Sequence, residues 1–600
     1  MPFGAECRQD GSVRFRVWAP SAKQVDLCLA GAPPRSVAMP QFENGWFELI
    51  TSEAPTGSRY QFQINGNLKV PDPASRFQSS DVHGPSEVIN PADFEWSAPE
   101  STWRGRRWSE AVICELHVGT FTPEGTFAAV EKKLDYLADL GITALELMPV
   151  ADFPGARNWG YDGVFPFAPD SAYGRPEDLK RLVRAAHART LMIFLDVVYN
   201  HFGPEGNYLR GYAPDFFSTR HQTPWGEAIN FDGPNSRTVR DFFIHNALYW
   251  LEEYRFDGLR LDAVHAIVDE SQPDILTELA ETVRNTVGKK RAVHLILEND
   301  NNAAHYLRRE KRQSPNWFTA QWNDDVHHAA HVLITRETDG YYSDYANNPI
   351  WHLGRCLTEG FSYQGEPSRY RHGAHRGECS RDSPLDCFVG FLQNHDQVGN
   401  RAFGERIGQL TSAEAVRAVL SILLLAPSPP LLFMGEEFGA DTPFLFFCDF
   451  SPDLAKAVTE GRRAEFTGFE KFSSPSARAK IPDPSNVETF QRSKLDWATL
   501  NDQSHASWHG FYRELLALRK REILPLLRTD ERPAATFSIF GNSGLFVKWT
   551  FGDNTTLSLL ANLSDEAERS DLRPTGKVIY GIDLPASELP PWYVAWFHHP

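Results

Sequence analysis

Apolar and polar residues alternate with a period of two along the first part of the chain. Residues 12–29 show this alternation on both sides of a turn, and two further alternating segments follow, the second with an Asn65-Gly66 hairpin signal. No segment with the period of an amphipathic helix occurs before about residue 125. The pattern predicts a small β-sandwich over residues 1–90, and we interpret the irregular segment 91–109 as a linker.

From about residue 110 the pattern changes to short apolar strands, most of them separated by amphipathic helices. The strands predicted in this way cover residues 111–121, 142–150, 191–201, 256–264, 294–300, 318–323, 387–395 and 430–438. Such a series favours a (β/α)8 barrel over residues 110–525, with an insertion at 199–240 after the third strand. An open, doubly wound sheet is the alternative, but no glycine-rich phosphate motif follows the first strand.

Period-two alternation returns near the end of the chain. It follows a last amphipathic helix at 509–522 and predicts a C-terminal β-domain over residues 531–600. The sequence therefore predicts an α/β protein whose (β/α)8 barrel lies between an N-terminal β-sandwich and a C-terminal β-domain.

Composition narrows the possible classes of function. The chain has 600 residues, of which 42% are hydrophobic and 23% charged, as in an ordinary globular protein. Its net charge of −18 argues against nucleic acid or an anionic membrane as the main partner. The 7 cysteines are scattered without a CxxC pair, so we expect neither a disulfide framework nor a zinc site. No leader or membrane-spanning pattern is visible, and a cytoplasmic location is the expectation.

Four acidic residues end otherwise apolar predicted strands: Asp196, Asp262, Glu298 and Asp396. Strand carboxyl ends of a barrel point at one shared mouth, and an acid buried in the barrel core would be costly. A single such acid could equally cap a helix or pair with an arginine. Four of them at strand ends favour a common site.

Several carboxyl groups in one pocket suit the cleavage of glycosidic bonds. Like charges repel, so one carboxyl keeps its proton near neutral pH while another stays ionised. Arg260 lies two residues before Asp262 and therefore on the same strand face, where its charge would keep Asp262 ionised. This arrangement predicts Asp262 as the nucleophile and Glu298 as the acid.

Histidines and a tyrosine accompany these acids. His201, His265 and His395 could bind a metal, but no metal-binding spacing such as His-x-His occurs, and we rank hydrogen bonding to sugar hydroxyls higher. Tyr161 either stacks on a sugar ring or packs within its own loop.

Four ordered motifs resemble those of the alpha-amylase superfamily of retaining glycoside hydrolases. They are DVVYNH, GLRLDAVH, LILEND and FLQNHDQ, and the resemblance covers roughly residues 110–525. It implies that Asp262 is the nucleophile, Glu298 the general acid/base and Asp396 the group that stabilises the transition state. It also implies that further residues in and around the motifs bind substrate: Tyr161, Asp196, His201, Arg260, Leu261, Ala263, Val264, His265, His395, Gln397 and Asn400.

The segment WNDDVHHAAH after the sixth predicted strand is dense in polar side chains. These are Asn323, Asp324, Asp325, His327 and His328. Such clusters are commonly solvated loops or helix caps. The resemblance instead implies that they line the substrate groove. No role is predicted for Asn299 and Asp300, which follow the acid Glu298.

Longer stretches, such as FPGARNWGYDGVFPFAPDSAYG and QNHDQVGNRAFGER, resemble superfamily members that release trehalose from maltooligosyl trehalose. The resemblance implies cleavage of the α-1,4 bond next to the terminal trehalose, with maltooligosyl trehalose and related α-glucans as partners and no cofactor. Asn200 matches a calcium ligand of secreted amylases, but one ligand is weak evidence and no required metal is expected.

Two other functions remain open from the sequence. The N-terminal region also resembles the sandwich of glycogen branching and debranching enzymes, which share the catalytic acids. A non-catalytic glucan-binding protein on the same scaffold is a third possibility, disfavoured because all the acids are present.

Overall fold

The N-terminal part of the chain is a sandwich of two antiparallel sheets. One sheet has the strand order Gly4–Cys7, Val13–Trp18 and Trp46–Thr51. The other has the order Arg35–Ala38, Val25–Leu29, Arg59–Ile64 and Leu68–Val70, with Ser86–Glu87 paired to Arg59–Ile64. The computed structural model describes residues 2–31, 33–96, 102–310, 314–528, 532–582 and 588–600. Residues 97–101 of the predicted linker thus lie outside the described residues.

The sandwich forms because each sheet has one apolar face. The turn at Pro20 connects strands of different sheets, which brings the two apolar faces together. Phe15 from one sheet is fully buried and lies 4.7 Å from Tyr60 of the other, measured between ring centroids. Asn65 and Gly66 both have positive φ, of 50° and 75°, as the predicted hairpin turn requires.

Eight parallel strands close into a barrel, and each lies within one of the eight strands predicted from the sequence. They are Ile113–Leu116, Ala144–Leu147, Met192–Val197, Gly258–Leu261, His294–Leu297, Ala320–Trp322, Phe388–Phe391 and Pro430–Phe433. Each strand pairs with the next, and the eighth pairs with the first. A Cβ atom on Gly258 would stand 2.1 Å from the carbonyl oxygen of His294, so the fourth and fifth strands can pair this closely only with glycine there. The predicted fold class is confirmed.

Helices cover the outside of the barrel. They are Leu134–Leu140, Pro176–Ala188, Ser236–Glu252, Ile275–Asn285, Asp324–Thr335, Pro349–Glu359, Ala413–Leu425 and Gln503–Leu518. The described residues between the fifth and sixth strands contain no α-helix. No helix in the described ranges has the length and apolar character needed to cross a membrane.

The segments that follow the barrel strands also form structure of their own. The insertion after the third strand contains an antiparallel pair, Phe217–Thr223 and Gly226–Ile229, and it ends where the next helix begins at Ser236. Other helices are Val118–Phe121, Phe127–Glu131, His395–Gly399, Pro452–Glu465, Pro475–Arg478 and Val487–Arg492. Other two-stranded pairs are Ala151–Asp152 with Phe165–Pro169, Arg309–Glu310 with Ser314–Pro315, and Glu366–Pro367 with His375–Arg376.

The C-terminal β-domain contains a five-stranded antiparallel sheet. Its strand order is Ala534–Phe540, Gly544–Thr550, Thr556–Asn562, Val594–His599 and Lys577–Tyr580, and a separate pair joins Glu568–Arg569 to Glu588–Leu589. Trp549 and Trp596 stack at 5.4 Å on this sheet and donate hydrogen bonds to the carbonyl oxygens of Leu357 and Ser421 in the barrel helices. The sheet is therefore fastened to the barrel through its two fully buried tryptophans.

Candidate active site

A cavity of about 590 Å³ opens at the carboxyl ends of the barrel strands. Most of the residues that the sequence predicts for the site line this cavity: Tyr161, His201, Asp262, Ala263, His265, Glu298, Asp324, His328, His395, Asp396, Gln397 and Asn400. This is the end of the barrel at which βα-loops converge.

Arg260 joins the acidic residues below the cavity. It is fully buried, and its guanidinium lies 4.1 Å from the centroid of the Trp322 ring. Nη1 donates to Asp196 Oδ2 at 2.7 Å and to Asp262 Oδ1 at 2.8 Å, while Nη2 lies 2.9 Å from Glu298 Oε2. One buried cation therefore holds three carboxyl groups from three successive strands.

Asp262 is held in the ionised form. Its Oδ2 accepts a hydrogen bond from Asn200 Nδ2 at 2.9 Å, and the same amide donates to the Asp262 carbonyl at 3.0 Å. Burial raises the pKa of Asp262, but Arg260 and the Asn200 hydrogen bond outweigh it, so the pKa lies below its usual value. An ionised and positioned carboxylate at a cavity wall is suited to act as a nucleophile.

Glu298 has the opposite protonation preference. Burial raises its pKa well above the usual value, and repulsion by Asp262, Asp396 and Asp324 adds to this although Arg260 lowers it. Its Oε2 accepts a hydrogen bond from the backbone N–H of Ala263 at 2.7 Å. Two neighbouring carboxyl groups thus have pKa values shifted in opposite directions, as a paired nucleophile and general acid need.

Asp396 lies in the cavity wall beside His395. Asn400 Nδ2 donates to Asp396 Oδ1 at 3.0 Å, and His395 Nε2 lies 3.4 Å from the same oxygen. The other ring nitrogen of His395 lies 2.5 Å from Glu115 Oε1, and its backbone N–H donates to Glu115 Oε2 at 2.9 Å. Burial alone would lower the pKa of His395, but Asp396 and Glu115 raise it to about 10. His395 is therefore an imidazolium at neutral pH.

Aromatic rings form part of the cavity wall. Tyr161 stacks on His395 at 5.1 Å and donates from its hydroxyl to Asp196 Oδ2 at 2.8 Å. His201 stacks at 4.8 Å on Trp225, which belongs to the insertion after the third strand. Flat rings of this kind offer apolar faces to a sugar ring.

One side of the cavity is strongly polar. Asp300, Asp324, His328 and Arg371 all line it. Burial raises the pKa of Asp324 to about 7, and Asp300 adds to the shift. Asp300, whose role the sequence left open, lies 3.2 Å from the guanidinium of Arg376. Asn299 turns away, and its Oδ1 accepts from the backbone N–H of Asn301.

Seven residues predicted to bind substrate do not line the cavity: Asp196, Arg260, Leu261, Val264, Asn323, Asp325 and His327. Asp325 pairs with Arg376 at 2.9 Å. His327 donates from Nδ1 to the carbonyl oxygen of Leu392 at 2.7 Å, and its Nε2 lies 3.1 Å from the Tyr342 hydroxyl oxygen. The direct role in substrate binding expected for these residues stays a prediction. They are buried, and several of them hold the groove in shape.

Sequence reasoning missed two kinds of site residue. Trp225, Tyr341 and Arg371 lie on long connections without a motif. Glu115 had a usable signal, because it is an acid within the apolar first strand, like the acids that were singled out. The amide nitrogen of Asn200 donates a hydrogen bond to Asp262. Asn200 therefore positions Asp262 here, which differs from the metal-ligand role that its sequence match suggested.

In the described part of the chain, one three-residue group could hold a metal ion: His221, Asp232 and Glu270. None of the three lines the cavity. Arg220 lies 2.6 Å from Glu270 and 3.6 Å from Asp232. Its guanidinium therefore already supplies a positive charge beside both acids, where a metal ion would have to lie.

We expect Glu115→Gln to lower kcat/KM about ten- to hundredfold near neutral pH. Glutamine keeps the shape of the side chain but removes the charge-assisted hydrogen bond to His395, worth about 1.5–3 kcal/mol. Because about 1.4 kcal/mol is one pKa unit, the pKa of His395, about 10 in the unaltered enzyme, falls by about one to two units. His395 stays protonated at neutral pH, so the loss should deepen as the pH is raised. Kinetics across pH measure this, and a loss that does not change with pH would show that Glu115 acts only in packing.

The barrel and its paired carboxyl groups define a glycoside hydrolase of the alpha-amylase superfamily. The chain is 42% identical over 522 residues to the malto-oligosyltrehalose trehalohydrolase of Saccharolobus solfataricus, which covers 87% of both chains. It is 41% identical over 524 residues to that of Deinococcus radiodurans, covering 87% of this chain and 83% of the relative. The chain therefore belongs to the malto-oligosyltrehalose trehalohydrolase family.

Other comparisons agree with this assignment. Profiles match for the alpha amylase catalytic domain at residues 74–247, for carbohydrate-binding module 48 (isoamylase N-terminal domain) at 2–77, and for a domain of unknown function, DUF3459, at 533–596. The crystal structure of a Salmonella typhimurium protein assigned as an alpha amylase superposes with a TM-score of 0.94 at 44% identity, covering 100% of this chain and 99% of that one. A branching enzyme of Mycobacterium bovis is 28% identical over 467 residues, covering 71% of this chain and 59% of the relative.

Proposed function

We propose that this enzyme hydrolyses the α-1,4 bond between a maltooligosyl chain and its terminal trehalose unit, with retention of configuration, and so releases trehalose. The observation that carries the proposal is the single guanidinium of Arg260, which contacts the carboxyl groups of both Asp262 and Glu298. Retaining enzymes need two such groups about 5–5.5 Å apart. The relatives named for this activity supply the particular substrate.

In the first step Glu298 donates its proton to the glycosidic oxygen while Asp262 attacks the anomeric carbon. The raised pKa of Glu298 favours the protonated form that donates, and the lowered pKa of Asp262 keeps its oxygen ionised and nucleophilic. Trehalose leaves, and the maltooligosyl chain is bound to Asp262 as an ester.

In the second step Glu298, now ionised, takes a proton from water. The water attacks the anomeric carbon and releases Asp262, so that two displacements retain the α configuration. Asp396 and the His395 imidazolium bind hydroxyls of the same sugar, and Tyr161 stacks on its ring. Their positions in the cavity wall support these roles.

Selection of a trehalose end falls to the polar side of the cavity. A trehalose-capped chain differs from plain amylose only in its last linkage, so discrimination needs hydrogen bonds that the wrong end leaves unmade. Asp300, Asp324 and His328 supply acceptors and donors there. We propose that this side receives the leaving trehalose.

We further propose three domains, residues 1–90, 110–525 and 531–600, with 91–109 as the linker. The matches at 2–77 and 533–596 support the first and the last of these.

A product assay tests the proposed reaction. With maltotriosyl trehalose we expect free trehalose and maltotriose in equal amounts, separated by anion-exchange chromatography. Plain maltopentaose, which has the same number of glucose units but no trehalose, should be a much poorer substrate. New α-1,6 branches in amylose, or debranched amylopectin, without trehalose release would instead identify a branching or debranching enzyme.

A further inference from the structure

A second cavity, of about 450 Å³, lies at the opposite end of the barrel from the active site. His294, at its wall, is the first residue of the fifth barrel strand, and Asp386 precedes the seventh strand by two positions. Pro533 and Phe551 from the C-terminal β-domain close the other side. The cavity therefore lies between the amino-terminal ends of the strands and that domain.

This cavity is rich in arginine although the whole protein carries a net charge of −18. The described residues that line it include Arg107, Arg284, Arg291, Arg309 and Arg532. Asp386 is the acidic side chain among the described lining residues, and Arg291 has a further acid, Asp257, at 3.3 Å. Positive charge is thus concentrated around one cavity.

Arg284 makes hydrogen bonds to neutral groups. Its Nε and Nη2 donate to the carbonyl oxygen of Trp317 at 3.0 and 2.8 Å, and Nη2 donates to Thr319 Oγ1 at 3.0 Å. Burial and the nearby Arg309 lower the pKa of Arg284 to about 10, so it remains charged at neutral pH. These contacts hold the guanidinium in place without neutralising it.

Arg309 has an N–H group that is not used in a hydrogen bond within the described ranges. Its Nη2 lies 3.0 Å from Asp386 Oδ1, while its Nε is buried and has no hydrogen-bond partner within the described ranges. Arg532 donates to the carbonyl oxygens of Thr358 at 2.7 Å and of Ser380 at 3.3 Å. Partly buried cations with neutral partners, beside an unused donor, are suited to receive an anion.

We propose that this cavity binds a phosphate group, either as free phosphate or on a small phosphorylated metabolite. Arginine is the side chain best shaped for two-point hydrogen bonding to phosphate oxygens, and a dianion would neutralise two of the clustered charges. The cavity is larger than a phosphate ion needs, and Trp108, Pro427 and Phe551 provide an apolar wall for an organic part.

Thermal unfolding and calorimetric titration test the site. At constant ionic strength, set with chloride, inorganic phosphate or glucose 6-phosphate should bind saturably and raise Tm, whereas glucose should not. Tighter binding of glucose 6-phosphate would identify a phosphorylated metabolite as the ligand, and binding of inorganic phosphate alone would identify the free ion. Trehalose release should be unaffected by substitutions in this cavity, because the cavity lies away from the active site.

The variants locate the binding. Arg107→Gln changes an exposed lining residue and leaves the buried network intact, and the double variant Arg107→Gln/Arg309→Gln removes a second charge. We expect phosphate affinity to fall at least tenfold in the double variant and less in the single one. Arg8→Gln, an exposed arginine of the N-terminal sandwich, is the matched control. Absence of saturable binding, or an equal loss in Arg8→Gln, would overturn the proposal.

Discussion

Replacing Asp262 by asparagine is expected to lower kcat for trehalose release by at least about 10,000-fold, because the nucleophile is lost. Asparagine has nearly the same size, and its one side-chain oxygen can still accept from Arg260, which donates to Asp262 Oδ1 at 2.8 Å. The hydrogen bond from Asn200 to Asp262 Oδ2, at 2.9 Å, is lost because an amide nitrogen takes that place. Asparagine carries no negative charge, so it cannot form the ester intermediate. Initial rates with maltotriosyl trehalose measure the effect.

Two controls separate chemistry from folding in this experiment. Thermal unfolding should show that Asp262→Asn is folded, because the Arg260 contact and the hydrogen bond from Asn200 to the backbone carbonyl of residue 262 are kept. Asp441→Asn changes an exposed aspartate on the segment after the eighth barrel strand and should leave kcat unchanged. A value of kcat for Asp262→Asn within tenfold of the original would assign the nucleophile to another group.

Glu298→Gln is expected to lower kcat/KM about 100- to 10,000-fold with a sugar leaving group, the range typical of a lost general acid. Because burial raises the pKa of Glu298 well above its usual value, the enzyme should lose activity as the pH rises through that pKa. The lowered pKa of Asp262 places the acid limb of the profile at low pH. The variant should lose the alkaline limb, which a pH profile of kcat/KM measures.

A substrate with a better leaving group provides the control for Glu298. Fluoride needs little help from an acid, so kcat/KM of Glu298→Gln for an α-maltosyl fluoride should lie close to that of the unaltered enzyme. Asp262→Asn should remain inactive on both substrates. A Glu298→Gln variant that keeps the alkaline limb, or loses equally on both substrates, would show that another residue donates the proton.

The barrel could be predicted because its strands are short apolar runs between amphipathic helices. Burial on both faces requires such runs, and each of the eight ends at the same barrel mouth. The acids at these ends stood out for the same reason, and the structure brings Asp196, Asp262 and Glu298 onto the one guanidinium of Arg260.

The helix after the sixth strand shows where sequence reasoning fails. Asp324 and Asp325 are adjacent, and so are His327 and His328, but neighbours on a helix point about 100° apart. Asp324 and His328 line the cavity, whereas Asp325 and His327 are buried among Arg376, Tyr342 and Leu392. Tertiary packing selects the face, and no local pattern distinguishes the two.

The backbone conformation of the site could not be predicted from the sequence either. Ala263 has a φ of 39°, in the left-handed region that alanine rarely adopts. In this conformation its N–H donates a hydrogen bond to Glu298 Oε2. Nothing in the run GLRLDAVH indicates this turn, because it depends on the pairing of the fourth and fifth strands.

Trapping the glycosyl-enzyme tests the central claim most directly, namely that Asp262 is the nucleophile of a retaining mechanism assisted by Glu298. The Glu298→Gln variant, incubated with a 5-fluoro maltosyl fluoride, should accumulate a covalent adduct whose mass corresponds to one fluorinated maltosyl group. Peptide mass spectrometry should locate that group on Asp262. An adduct on a different carboxylate, or turnover without any adduct and with a β-configured product, would contradict the account.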